Sequence, residues 1–360
     1  MTPSQRPARP RYLRWLVALT IVTLPFAACG GLRARAAADW PSSMPSPLVA
    51  PAPPFPIDKA AWPAIEDAIK VMPPSGPRPS VLLKQDEASD ADAVVASFAP
   101  SLDRFERAVR GGGIAVPTSS SSGPTFAQLQ TLGDTWLLRA RRRGQRGDRA
   151  AHVSDLASLE RFVGRLSQAG DSLLTPMIAL VMENTVITEM ERMRELPGSD
   201  AETLAPLVSA LDANISLPFP LLHGYLGECV MLEALFRDMG AKSTQDLMAA
   251  SSISGATTSG SSAWQLVPRR WLYDPDRTIS VVREHCHAML RVLESPAPRG
   301  PLPTQRNVTT SAPWAYVDNR LGRVSLAIGG PDFGSMIARA DDVATARQRV
   351  RSTLTKPSSH

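Results

Sequence analysis

A few residues of this 360-residue sequence have the type and spacing to do chemistry. Glu228 and Glu233 lie on a mostly apolar stretch, 221–239. A carboxyl group in such surroundings can have a raised pKa and act as a general acid. The plainer alternative is a surface or hydrogen-bonded glutamate. Arg139, Arg141, Arg142, Arg143, Arg146 and Arg149 put six arginines into eleven residues. They would make an anion site for lipid headgroups or acidic cell-wall polymer, or a solvated helix end where cations favour the helix dipole. Glu284, His285, Cys286 and His287 have the composition of a metal site, but two histidines two apart on a helix point to nearly opposite sides, whereas helical zinc motifs use i and i+4. There is no CxxC, HExxH, GxSxG, P-loop or dinucleotide-binding glycine motif. No metal or cofactor is expected.

The compartment decides how the cysteines are read. Residues 1–38 hold six arginines and no acidic residue, and residues 15–32 carry no charge. Arg6, Arg9, Arg11 and Arg14 precede an apolar run at 16–28, the pattern of a secretory signal. The positive-inside bias keeps the N-terminus cytoplasmic and sends the body across the membrane. Three fates stay open. Small Ala27, Ala28 and Gly30 around Cys29 resemble the bacterial lipoprotein signal, with Phe26 where that signal prefers leucine, so Cys29 would become a lipidated first residue. Ordinary cleavage would fall after Ala36 or Ala38. An uncleaved run would serve as an anchor. With Cys29 set aside, Cys229 and Cys286 are an even pair, either a disulfide in an oxidising compartment or two buried thiols.

The same leader explains the charge. Taking its six arginines from the 39 basic residues leaves 33 against 34 acidic ones, a body of net −1. The basic character is therefore no sign of nucleic-acid binding. Aromatic residues are few, at 6%, and leucine, alanine and arginine are abundant, which favours helices over a β-sandwich.

Periodicity places these residues on elements. Residues 1–38 are a signal or anchor. Residues 39–85 form a Pro-rich tether with one short helix at 58–72, stopped by Pro73 and Pro74. Residues 86–250 read as a helical hairpin region. It opens with a helix over 86–110 that Pro100 starts or kinks, and a Gly/Ser/Thr loop at 111–124 follows. The next helix breaks at Gly144 and Gly147. Asp148 caps a helix at 150–169, a long helix fills 173–196, and Ser199 with Glu202 makes a capping box for 200–213. Residues 251–270 are a flexible loop, and 271–355 form a C-terminal helical region. In it Pro275 opens a helix to about Glu294, an apolar helix lies near 315–329, and Asp332 caps the last one. The fold class is all-α: consecutive, repeat-like antiparallel helical hairpins.

Three short stretches carry a resemblance: Leu222 to Glu228 (LHGYLGE), Asp274 to Thr278 (DPDRT), and Asn319 to Arg323 (NRLGR) followed by Phe333. Over roughly 125–350 they resemble uncharacterised helical envelope proteins of bacteria. The resemblance implies a helical body and an envelope location, and no activity. The expectation is a non-catalytic, membrane-associated helical protein that binds a protein partner or acts as a scaffold at the periplasmic face. If the leader is cleaved without lipidation, the protein is secreted. The alternative is a cell-wall hydrolase or lyase using Glu228 or Glu233.

Overall fold

The computed structural model describes residues 32, 35–49, 55–74, 78–85, 90–114, 116, 123–169, 172–194, 200–243, 246, 273–296, 299–304, 306, 323, 326 and 333–355. Cys29 with most of the leader, Ser199, the 251–262 loop, Asp332 and most of the 315–329 helix lie outside them. The chain is all-α, with eleven helices and one two-residue strand pairing among the described residues. It divides into two compact units. One comprises Leu48–Met231, Cys286–Leu302 and Pro331–His360; the other comprises Met1–Pro47, Leu232–His285 and Pro303–Gly330.

The first unit begins with β1 (Ile57–Asp58) and α1 (Ala61–Lys70), then α2 (Pro79–Leu82), α3 (Ala91–Ser97) and α4 (Ala99–Arg110). Pro100 sits in the first turn of α4, where its missing N–H costs no hydrogen bond, so the described part of the expected helix, 91–110, is two helices joined at Phe98. The loop expected from 111 instead starts as β2 (Gly113–Ile114), parallel to β1, because the Gly113 N–H donates to the Pro56 carbonyl at 2.9 Å. Then come α5 (Gly123–Gln145), α6 (Arg149–Ser167), α7 (Leu174–Arg194) and α8 (Ala201–Ile215). Two sequence expectations need correction. Helix α5 runs through Gly144 rather than breaking there, since a side chain at 144 would collide with the His152 imidazole; the break is Gly147, at φ +88°. The cap of α8 is Asp200, which accepts from the Thr203 N–H at 2.7 Å, in place of the Ser199 box. Asp148 does cap α6, accepting from the Ala151 N–H at 3.1 Å.

Helix α6 is the hub. It packs against α4, α5, α7 and α8, and Val153, Leu156, Leu159, Phe162, Val163 and Leu166 are all buried. Phe105 of α4 meets Trp136 and Phe162 edge-on, with centroids 6.0 and 5.2 Å apart, the arrangement that aromatic quadrupoles favour. The last helix, α11 (Phe333–Leu354), lies on α7 and α8 and buries Ile337, Val343 and Val350, with Met336 half-buried. Helix α9 (Pro220–Ala241) and α10 (Pro275–Glu294) contribute their residues up to Met231 and from Cys286. Residues Ala201–Ala241 are long and apolar enough by composition to cross a membrane, with a mean hydropathy of 1.2. That run is broken at 216–219, and its Leu204, Leu207 and Leu211 are core residues of this unit.

In the second unit the end of the leader and the start of the expected tether are anchored, while residues 41–47 stay exposed or half-buried. Ala36 and Trp40 are buried. Arg323 pairs with Asp39, stacks 4.9 Å over Trp40 and donates to the Ala36 carbonyl at 3.3 Å. Arg283 donates to the Pro45 carbonyl at 3.0 Å. The Pro45 carbonyl lies outside any helix or strand and takes its donor from Arg283, whereas the Ala36 carbonyl also accepts from the Asp39 N–H at 3.2 Å.

Candidate functional site

The two glutamates of α9 face opposite fates to the one that catalysis would need. Glu233 is buried and gripped by the Arg283 fork, Oε1 at 2.5 Å and Oε2 at 2.8 Å, with Arg237 at 2.6 Å. The Arg283 hydrogen bond holds its carboxyl below the ordinary glutamate value. Of the two alternatives the plainer one, a hydrogen-bonded glutamate, holds here; the value is not raised because two guanidiniums outweigh the burial. Glu228 accepts from the Leu173 N–H at 3.1 Å, just ahead of α7, which makes it a partner for a free helix-start donor. One residue further, Cys229 forms a disulfide with Cys286 of α10, their Cα atoms 6.3 Å apart across 57 residues of chain. His285 is half-buried, and burial lowers its pKa. Among the described residues no three His, Cys, Asp or Glu side chains are grouped to hold a metal.

The arginine run divides by depth. Arg141 is an interior residue: its fork meets Glu189 of α7 at 2.9 and 2.5 Å, and Nη1 donates to the Leu83 carbonyl at 3.0 Å. Arg142 grips Asp92 at 2.8 and 2.7 Å, and Arg146 reaches the same carboxylate at 3.0 Å, pulling its pKa down to about 2. Arg143 and Arg139 converge on Asp155 of α6 at 2.7 and 3.5 Å, and Arg110, the last residue of α4, stands 3.7 Å from it. Neither sequence alternative foresaw carboxylates shared among several arginines.

A second ionic cluster lies wholly inside, where α6, α7, α8 and α11 meet. Arg347 donates through Nε to Glu183 at 2.5 Å and through Nη1 to the Asn214 carbonyl at 3.2 Å; Glu160 stands 4.0 Å away. Asn214 donates to the Glu160 carboxylate and carbonyl, both at 2.8 Å. It can do so because residue 164 is glycine; a β-carbon there would overlap its amide. The second Glu160 oxygen has no partner among the described residues. Burial, and then the neighbouring Glu183, raises the Glu160 pKa; burial raises that of Glu183. Two buried carboxylates thus share one guanidinium and cannot both be ionised cheaply. Arg347 also lines a cavity of about 500 Å³ formed by the α8–α9 turn, the end of α10 and α11. Its wall includes Arg299, which pairs with Asp341 and stacks 3.7 Å over Phe219. A smaller groove of about 300 Å³ runs between α7 and α11, lined mainly by Leu174, Met177, Ile178, Leu180, Val181 and Met336.

Sequence reasoning missed Glu160, Glu183, Glu189, Asp155 and Arg347, though a signal existed. Glu183 stands four residues after buried Ala179, and Glu189 three after buried Val186; Arg347 stands four after Val343. Each charge sits on the apolar stripe of its own helix, where a solvated residue would not be placed. No protein-family model matches the chain, and no curated protein and no solved structure matches it.

Proposed function

We propose that this is an exported, membrane-held helical protein of the bacterial envelope whose body binds a protein partner and performs no catalysis of its own. The observation that carries the binding role is the groove between α7 and α11. Met177 at its edge is 38% exposed, and Met336 lines it from the other side. Methionine-bearing apolar grooves suit adaptable protein contacts. The disulfide supports an oxidising compartment. Ala36 and Trp40 bear on the leader: cleavage after Ala36 or Ala38 would cut the packed set that Arg323 holds, whereas processing at Cys29 leaves it whole. A lipid on Cys29 would hold the body close to the bilayer, because the five residues 30–34 span at most about 18 Å.

A photo-crosslinking residue at Met177 in the native host tests the binding role. The expected outcome is a discrete adduct with another envelope protein, lost in a Met336→Asp variant that still folds. An adduct pattern unchanged by Met336→Asp, or none at all, would contradict it. The cell-wall enzyme alternative has its own check: Glu228→Gln and Glu233→Gln should leave function in the host intact, and loss of function with retained folding would favour the enzyme.

A further inference from the structure

We propose that Arg110, Arg139 and Arg143 form a binding site for a phosphate group. Three guanidiniums surround one carboxylate, Asp155, which is only 1% exposed. Asp155 can neutralise one of them. Glu106, 37% exposed, occupies Arg110 at 2.6 Å, which leaves one positive charge in excess. The site has a rigid floor: Arg139 stacks 3.9 Å over the Trp136 ring, and the Trp136 indole N–H donates to the Asp155 carbonyl at 3.0 Å.

The donors are available in the right places. The Arg139 side chain is 12% exposed, and its Nε is buried with no partner among the described residues. Arg110 and Arg143 are 45% and 39% exposed, so their forks face a ligand arriving from solvent. Arg110 is not needed to cap its own helix, because Arg165 donates to the Ala108 and Val109 carbonyls at 3.3 and 2.6 Å. Planar guanidiniums bind phosphate oxygens two at a time, which is the recognition that such a cluster offers. Glu106 then acts as a competitor, an internal carboxylate standing where a phosphate oxygen would sit on Arg110. A purely structural cluster would lose by removal of any member; a binding site should gain when the competitor is removed.

The test is calorimetric titration of the full chain in uncharged maltoside micelles, with two probes. One arm adds inorganic phosphate; the other dopes the micelles with phosphatidylglycerol. Saturable binding of phosphate alone assigns a free phosphate, binding of the doped lipid alone assigns a headgroup, and either supports the site. Glu106→Gln should tighten binding about three- to ten-fold, and Arg110→Gln should weaken it about ten-fold, with the thermal midpoint of each recorded as a folding control. Should Arg110→Gln fail to fold, the Glu106→Gln result decides alone. The proposal is overturned if neither probe binds the wild type, or if Glu106→Gln binds no more tightly than wild type.

Discussion

Glu233 and Glu160 are both helix-borne glutamates with buried side chains, yet their pKa values move in opposite directions. Glu233 has two guanidiniums to itself. Glu160 shares a single one, Arg347, with Glu183 and receives only an amide N–H beside it. The two differ in depth as well as in cations: Glu233 keeps 8% of its side chain exposed and hydrogen-bonds both guanidiniums, whereas Glu160 is fully buried with its one guanidinium 4.0 Å away. Asp155 shows that the number of cations alone does not set the sign: burial leaves its pKa raised although three arginines lower it. Apolar surroundings are therefore a poor guide to a proton donor unless the local cations are counted as well.

The sharpest way to break this contrast is to remove the cation from each. Arg347→Met strands two buried carboxylates and should cost about 3–5 kcal/mol in urea unfolding at neutral pH. Arg283→Met leaves Glu233 with the exposed Arg237 and should cost less, roughly 1–3 kcal/mol. Equal costs would mean that neither depth nor the sharing of a cation matters. Removing the carboxyl instead tests the sign. The folded Glu160 value is raised from 4.5 to about 8, so its contribution to stability is present in acid and lost as pH rises across that window. Glu160→Gln should therefore flatten the decline toward pH 8 and stabilise there by roughly 1–3 kcal/mol. For Glu233, whose folded value is lowered, stability is present above the ordinary glutamate range and lost as pH falls through the folded value; Glu233→Gln should flatten the acid limb instead. The smallest effect is expected at Asp134, which is buried, has no hydrogen-bond partner among the described residues, and is pushed up to about 7 by burial. Asp134→Asn should raise the thermal midpoint slightly at pH 8 and leave it unchanged near pH 4.

The helix pattern was legible wherever it rests on local chemistry. Pro100, Asp148, Gly147 and Pro275 mark boundaries through backbone geometry or caps that involve only neighbouring residues. The errors arose where a distant residue intervened. Gly144 reads as a break until His152 is placed against it, and residues 39–47 read as tether until Arg323 pairs with Asp39 and Arg283 bonds the Pro45 carbonyl, each more than 200 positions away in sequence. The charged clusters have the same character. That Glu183 and Arg347 each lie on an apolar stripe can be read from spacing; that they meet across 164 residues cannot. For Glu233 the plainer alternative, a hydrogen-bonded glutamate, is what the structure shows, but its partner Arg283, fifty residues on, is invisible to local pattern.

The intact mass of the protein extracted from native membranes tests the exported, membrane-held reading most directly. The predicted result is a chain beginning at Cys29 with added lipid mass, and two hydrogens lighter than the thiol form because Cys229 and Cys286 are joined. A chain beginning after Ala36 or Ala38, or one with both thiols free, would contradict it.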